Sequence, residues 1–190
     1  MESKQLGHRL PCFDGGYLSK LLKKHFGEPT VDYAKFSKQA AESYTVFRTY
    51  YYDCPPYQSK APTPEESQFL SGKEKFFKAL RQLERFEVRL GRLEYRGTDD
   101  EGKQVFAQKR VDLQMGLDIA SLAGKSRVQM MTLVMGDSDL IPAVEFAKQE
   151  GILTRLVHGP RGTYHQDLWE RVDERKEITM EFINRILRKK

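Results

Sequence analysis

The chain has 190 residues, a formal net charge of +5 and a sequence pI near 9.1. Hydrophobic residues make up 39% and charged residues 31%, which is ordinary for a soluble globular protein. No apolar run approaches the roughly 20 residues of a membrane-spanning helix, and the length suits a single domain over residues 1–190.

The cysteines, the N-terminus and the charge indicate the setting in which the protein works. Cys12 and Cys54 are the two cysteines, too few for a disulfide framework. The chain does not open with a basic segment followed by a long apolar stretch, so we expect no secretory signal. We therefore expect a cytoplasmic protein without a membrane partner, and its mild basicity is compatible with a polyanionic one.

The first half of the chain alternates strand-like and helix-like segments. Residues 8–14 predict a strand, and residues 15–27 predict a helix that ends at a glycine. Residues 44–53 are rich in β-branched and aromatic side chains and predict a second strand. A proline-rich loop is expected over 54–68, followed by an amphipathic helix over 74–86.

The second half continues this alternation and defines the fold class. Residues 87–97 and 103–110 flank a turn and predict a hairpin. Such alternation predicts an α/β domain with a mainly parallel central sheet and helices on both faces. The remaining predicted elements are a helix over 111–124, a strand buried on both faces over 128–136, a helix over 139–151, a strand over 152–159 and a basic C-terminal helix or tail over about 176–190.

Five aspartates follow the predicted strands or lie on the helix between them. Asp14 follows the first strand, Asp137 and Asp139 follow the buried strand, and Asp112 and Asp118 lie on the preceding helix. Sites in parallel sheets collect at the carboxyl ends of the strands, so distant segments can bring these acids to one edge. Clustered carboxylates need a compensating cation or bound protons.

The residue types favour a hard divalent cation over zinc. The chain lacks Cys/His ligand spacings, whereas carboxylate oxygens suit Mg²⁺ or Mn²⁺. A divalent ion held by carboxylates activates water and stabilises charge on a phosphate, so the pattern indicates phosphodiester hydrolysis. The alternative is that Asp139 caps the following helix and Asp14 starts a turn.

The relation between Asp112 and Asp118 is open in the sequence. Six residues correspond to roughly 600°, so the two side chains do not share a helix face by simple spacing. Either Asp112 lies on the loop and Asp118 points into the cleft, or the helix starts irregularly. We expect Asp118 to face the cleft, because it borders an apparent apolar face formed by Leu113, Leu117, Ala120 and Leu122.

Three motifs resemble a known family. They are FDGGYL at 13–18, QKRVDLQMGLDIASLA at 108–123 and LVMGDSDLIPAVEFAKQEGI at 133–152. Together they resemble the NYN-domain proteins of the LabA-like group, in the PIN-like nuclease superfamily, and the similarity extends from about Arg9 to about Ile178. The resemblance implies a PIN-like, Rossmann-like three-layer α/β/α fold and metal-dependent endoribonuclease activity on RNA.

By motif, the family's acidic site corresponds to Asp14, Asp112, Asp137 and Asp139, and we keep Asp118 beside them. All five are predicted to be catalytic, and the predicted Mg²⁺ or Mn²⁺ ligands are Asp14, Asp118, Asp137 and Asp139. One position departs from the family, because Tyr17 stands where many relatives carry asparagine. That tyrosine either stacks on a base or packs.

Four residues are predicted to contact the substrate. Lys109 matches a lysine of the family motif, Arg161 follows the last predicted strand, and Ser138 can hydrogen-bond a carboxylate or a water that coordinates the metal. Tyr17 completes this set. A solvated surface position is the alternative for Lys109, and a structural turn is the alternative for Ser138. The tyrosine run over 50–52 offers base stacking or core packing, and His158 offers phosphate contact or no role.

The predicted function is a Mg²⁺- or Mn²⁺-dependent endoribonuclease with single-stranded or structured RNA as its partner, and a homo-oligomer is possible. A catalytically silent RNA-binding or regulatory module with the same fold is the alternative. An aspartate-nucleophile phosphatase is disfavoured because Gly16 stands where its second aspartate is needed. A dinucleotide-binding protein is disfavoured because no G-x-G-x-x-G motif follows the first strand.

Overall fold

A computed structural model describes residues 7–42, 44–102 and 104–188. Strands and helices alternate along this part of the chain, as the sequence predicts. The elements are β1 (His8–Asp14), α1 (Gly15–Phe26), α2 (Tyr33–Ala41), β2 (Thr45–Val46), β3 (Thr49–Asp53), α3 (Pro64–Arg81), β4 (Phe86–Leu90), β5 (Arg92–Thr98), β6 (Gln104–Lys109), α4 (Val111–Ala123), β7 (Met130–Val134), α5 (Ile141–Gln149), β8 (Leu153–His158), α6 (Gln166–Arg171), β9 (Glu174–Glu177) and α7 (Met180–Ile186).

The main sheet is parallel, with strand order β4-β3-β1-β7-β8-β9, and the short β2 pairs with the start of β1. The carboxyl ends of β3, β1, β7 and β8 therefore lie side by side along one edge. This edge is where Asp14 and the loop after β7 emerge. The predicted α/β class with a mainly parallel sheet is confirmed.

Helices cover both faces of the sheet, which gives three layers. Side chains alternate along each strand, so Cys12 contributes to one core and its neighbour Phe13 to the other. The first core lies under α4, α5 and α6, and the second lies under α1, α2, α3 and α7. The tyrosines over 50–52 are all buried in these cores, so packing rather than base stacking is their role.

Two caps and one hairpin explain where the chain departs from simple periodicity. α3 begins at Pro64, inside the predicted loop, because Thr63 and Glu66 form a capping box at its N-terminus. α1 ends at Gly27, whose φ of 70° places it in the left-handed region that glycine tolerates. β5 and β6 pair as an antiparallel hairpin that is separate from the main sheet, as predicted.

The C-terminal prediction is partly covered by the structure. α7 lies within the predicted basic segment, whereas Lys189 and Lys190 at its end are outside the described residues. Within the described ranges, no helix is both long and apolar enough to cross a membrane.

Candidate active site

A cleft of about 450 Å³ opens at the carboxyl edge of the sheet. It collects residues from β1 and α1, from the end of β6 and the start of α4, and from the loops after β7 and β8. Its walls are formed by Asp14, Gly16, Tyr17, Lys20, Gln108, Asp112, Gly136, Asp137, Ser138, Gly162, Thr163, Tyr164 and His165. Three predicted acids thus meet in one cleft although a long stretch of chain separates the first from the last.

Asp14 ends β1 and caps α1, with its carboxylate accepting a hydrogen bond of 3.0 Å from the Tyr17 N–H. Burial raises the pKa of this carboxyl to about 6, and the negative charges of Asp112 and Asp53 add to the rise. Gly15 permits this turn because a Cβ there would lie 2.6 Å from the Tyr51 ring. Capping and membership of the acidic cleft are therefore compatible roles for Asp14.

Asp112 lies in the first turn of α4 and also lines the cleft. Burial raises the pKa of its carboxyl, and repulsion from Asp137 and Asp139 raises it further. Because α4 begins at Val111, Asp112 lies within its first turn and not on a preceding loop. Gln108, near the end of β6, lines the same cleft.

Asp137 and Asp139 follow β7 in a tight turn. The Asp137 carboxylate accepts a 3.0 Å hydrogen bond from the Asp139 N–H and caps a short 3₁₀ helix over Ser138–Leu140. The capping acid is therefore Asp137, whereas the structural interpretation of the sequence predicted that Asp139 caps the helix. Asp137 and Ser138 line the cleft; Asp139 acts on it through its charge, which raises the pKa of Asp112.

Asp118, like Asp139, is a predicted acid that does not line the cleft, and its carboxylate is engaged elsewhere. Its carboxylate accepts hydrogen bonds from the Tyr52 hydroxyl at 3.0 Å and from the Arg89 Nε at 3.3 Å. A neighbouring tyrosine and guanidinium thus already satisfy this charge. The helix supplies one acid to the cleft, Asp112.

The buried face of α4, on which the expectation for Asp118 rested, differs from the predicted one. Leu113 and Leu117 are 66% and 61% exposed, contrary to the predicted apolar face. The buried stripe consists instead of Val111, Met115, Ile119 and Ala123. Asp118 borders this other stripe, where its carboxylate contacts Tyr52 and Arg89.

Tyr17 shapes the cleft by holding the loop after β8. Its hydroxyl accepts a 3.0 Å hydrogen bond from the Gly159 N–H and lies 3.3 Å from the Thr163 Oγ1. Its ring lies so close to Gly136 that a Cβ on this glycine would come within 2.6 Å of the Tyr17 Cε2. The packing alternative therefore describes Tyr17 in this structure, although its ring edge still lines the cleft.

Of the other predicted substrate contacts, Ser138 lines the cleft, whereas Lys109 and Arg161 lie outside its wall. Lys109 and Arg161 are exposed and flank the cleft without lining it. His158 is buried, with its Nδ1 2.7 Å from the Gly159 carbonyl oxygen and its ring against Tyr164. The alternative of no substrate role therefore fits His158.

The structure adds cleft residues that the sequence reasoning did not single out. Lys20 lines the cleft one turn beyond Tyr17 on α1. Its spacing of three residues from Tyr17 could have predicted this, because residues three apart share a helix face. Tyr164 and His165 line the cleft because a hydrogen bond from the His165 N–H to the Gly136 carbonyl draws their loop inward. Asp53, at the end of β3, also escaped notice, but Lys73 neutralises it at 3.3 Å.

The acids suit a divalent cation in their chemistry but do not form a closed cage. Carboxylate and amide oxygens are the donors that Mg²⁺ and Mn²⁺ prefer, and Mg²⁺ usually keeps several waters beside one or two carboxylates. Within residues 7–42, 44–102 and 104–188, no three His, Cys, Asp or Glu side chains stand close enough to enclose an ion. The cleft therefore offers the right type of donor, but its side chains alone do not complete a coordination shell.

The model of the NYN domain family matches residues 13–174. This chain belongs to the NYN-domain family. The matched range includes the acids of the cleft and the loops that shape it, so the predicted relationship is confirmed. NYN domains are generally nucleases of the PIN-like superfamily, and nucleases of this superfamily usually use divalent metal ions.

The fold of this NYN domain also occurs in a solved crystal structure. A protein of unknown function from Vibrio parahaemolyticus RIMD 2210633, VPA0982, superposes with a TM-score of 0.65 at 20% sequence identity. The alignment covers 99% of this chain and 100% of that one, so the two share a fold over their whole length. No curated protein sequence matches this chain significantly.

Proposed function

We propose that this NYN-domain protein is a Mg²⁺- or Mn²⁺-dependent endoribonuclease. One observation carries the proposal: Asp14, Asp112 and Asp137 line a single cleft, and no ion pair within the described residues joins any of them to a cation. Burial and the charges of neighbouring acids raise the pKa of Asp14 and of Asp112. A fold retains such an arrangement at a cost unless a cation offsets it.

Some residues of the cleft would bind the ion, and others would bind the RNA. Asp14, Asp112 and Asp137 would hold the ion in part through bound waters, since no three acids of the described residues stand close enough to ligate it together. Asp139 would add negative charge behind them. An ion held there supplies an activated water and stabilises the charge that develops on the phosphate. Ser138 and Gln108 would position water and a phosphate oxygen at the cleft wall, because a hydroxyl and an amide can donate hydrogen bonds to either.

Cationic residues around the cleft would bind the RNA backbone. Lys20 lines the cleft itself, and Lys109 and Arg161 flank it on the surface. Phosphate contacts of this kind position a nucleic acid without reading its sequence, and they weaken as salt concentration rises. The alternative function, a silent RNA-binding module, would keep these contacts without cleavage.

Cleavage of matched oligonucleotides tests the proposal. The purified protein is incubated with a single-stranded RNA and with DNA of the same sequence, with Mn²⁺, with Mg²⁺ and with excess EDTA. We expect internal cleavage of the RNA that requires the metal. Asp118→Asn is the matched control for Asp112→Asn, because both change one carboxyl of α4 and only Asp112 lies in the cleft. Undiminished cleavage in EDTA would contradict the mechanism, and binding without cleavage would favour the silent module.

A further inference from the structure

A second groove lies beside the cleft, between the β5–β6 hairpin, α3 and the loop after β3. Its volume is about 370 Å³, and aromatic and aliphatic side chains form most of its lining. Tyr57 and Phe106 face each other there, with ring centroids 5.1 Å apart. Phe69 of α3 forms the opposite wall and is 61% exposed. A recess lined in this way suits an apolar, flat ligand.

The aromatic cluster extends from the groove onto the hairpin surface. Tyr95 lies opposite Phe106 in the hairpin register, and its ring is 5.8 Å from Phe106 and 6.1 Å from Tyr57. Tyr95 is 45% exposed. Exposed rings held in a rigid hairpin offer faces for stacking at a small cost in conformational entropy.

The hairpin connects this groove to the acidic cleft. Gln108 lines the cleft, and Phe106, two residues earlier on β6, lines the groove. Residues two apart on a strand point to the same face and are separated by about 6.8 Å. This distance is about one to two nucleotide steps along a strand. A chain with a phosphate in the cleft would therefore carry one of its neighbouring bases past Phe106.

The charges of the groove favour a base over a phosphate. Glu66 lines it and would repel an anion, while Lys73, also in its wall, is paired with Asp53 at 3.3 Å. Gln104 places an amide at the rim, where it can donate to or accept from a base edge. The recess would admit a base only when that base is unpaired, since a base within a duplex is stacked and covered by its neighbours.

We infer that this aromatic groove binds an unpaired nucleobase one or two nucleotides from the phosphate in the acidic cleft. The inference rests on the proposed function for the position of that phosphate. Stacking on the Tyr57, Phe69 and Phe106 rings supplies the affinity, so the substrate class narrows to RNA that is single-stranded at this point. Stacking of this kind tolerates different bases, since every base has a π-face.

Fluorescence anisotropy with three probes tests the groove. The probes are a labelled 12-nucleotide single-stranded RNA, the same sequence in a duplex, and a 12-unit tetrahydrofuran phosphate oligomer that has the backbone charge but no bases. Titrations are done in EDTA, so that cleavage does not interfere. We expect Phe106→Ala and Phe69→Ala each to weaken binding of the single strand about 5- to 20-fold. Binding of the duplex and of the baseless oligomer should not change.

One control variant keeps the test specific. Met180→Ala truncates a side chain that is 53% exposed on α7, away from the groove, and should bind like the wild type. Phe69 is exposed enough that its replacement leaves the fold intact, which keeps the test valid if Phe106→Ala unfolds.

The outcomes separate this inference from the proposed function. Wild-type affinity of Phe69→Ala and Phe106→Ala for the single strand overturns the groove, whatever the cleavage assay shows. An equal loss on the baseless oligomer also overturns it, since the contact would then be to the backbone. Selective loss on the single strand supports the groove even if the protein cleaves nothing, in which case only the nuclease proposal fails.

Discussion

At the amino edge of the sheet, Glu42 lies among three cations, whereas at the carboxyl edge three aspartates share a cleft and pair with no cation of the described residues. Glu42 accepts hydrogen bonds from Arg155 and Lys176 and lies 3.9 Å from the buried Arg9. Burial alone would raise the pKa of Glu42, but the hydrogen bonds from Lys176 and Arg155 lower it overall. At the other edge, burial and like charges raise the pKa of Asp14 to about 6.

The paired charges at the amino edge stabilise the fold, whereas the carboxylates at the carboxyl edge, unpaired among the described residues, are available to bind a ligand. The chain has 32 basic residues, enough to pair every acid, yet none in the part that the structure describes is paired with the aspartates lining the cleft. The same contrast recurs within α4, where Asp118 is satisfied by Arg89 and Tyr52 while Asp112 faces other acids. Four substitutions test this contrast.

Asp137→Asn should have the largest effect, because it neutralises a cleft carboxylate and keeps its shape. We expect metal-dependent RNA cleavage to fall by about 100-fold or more. In metal-free buffer the melting temperature should stay the same or rise, since like-charge repulsion is relieved and the amide oxygen can still cap the 3₁₀ helix. A large loss of metal-free stability would instead make Asp137 a structural residue.

Asp14→Asn should change how metal-free stability depends on pH. The folded-state pKa of about 6 exceeds the ordinary value of 3.8, so the folded protein holds this proton more tightly than the unfolded one. The wild type therefore loses stability as pH rises from about 4 to about 6, and then levels off. The amide of the variant does not titrate, so the variant lacks this loss, and its amide oxygen can still cap α1.

The gain in free energy of unfolding for Asp14→Asn should therefore grow from near zero at pH 4 to about 1–3 kcal/mol at pH 7. Urea unfolding at several pH values measures it. If the difference in free energy of unfolding between variant and wild type does not change with pH, the pKa of the Asp14 carboxyl is not raised in the folded protein.

Glu42→Gln should lower the free energy of unfolding, whereas Asp14→Asn should raise it. The substitution removes a negative charge that stabilises the neighbouring cations. Arg9 is fully buried, and Arg155 lies close to it, so the loss leaves two guanidiniums facing each other. We expect the free energy of unfolding to fall by about 1–3 kcal/mol. Glu181→Gln, in an exposed pair with Arg185 on α7, is the control and should change it by less than about 0.5 kcal/mol.

Asp118→Asn should have the smallest effect on catalysis. We expect turnover within about two-fold of the wild type, and a loss of stability of about 1 kcal/mol from the weakened bonds to Arg89 and Tyr52. Initial rates at saturating RNA, with urea unfolding in parallel, measure both. A loss of turnover as large as that of Asp137→Asn would return Asp118 to the active site.

The sequence predicted what depends on local pattern and on short motifs. Gly27 ends α1 as expected, the buried strand β7 precedes the Asp137 turn, and the family relationship is confirmed over residues 13–174. These features depend on neighbouring residues, so one sequence is enough to predict them.

The rest depended on contacts between distant residues. Both possible stripes of α4 are apolar, and only packing against the sheet shows that Met115 and Ile119 are buried while Leu113 and Leu117 are not. Asp118 could not be assigned because Arg89, its partner, lies 29 residues away. β9 was missed because its Glu-Arg-Lys-Glu sequence lacks the apolar residues typical of strands.

Calorimetric titration with Mn²⁺ shows whether the cleft carboxylates bind a divalent ion, and it needs neither RNA nor turnover. Asp112→Asn and Asp118→Asn are compared with the wild type, since they make the same change at two sites of one helix. We expect the wild type and Asp118→Asn to bind Mn²⁺ with similar affinity, and Asp112→Asn to bind at least about ten-fold more weakly. Equal binding by Asp112→Asn, or no binding by the wild type at millimolar Mn²⁺, would contradict this expectation.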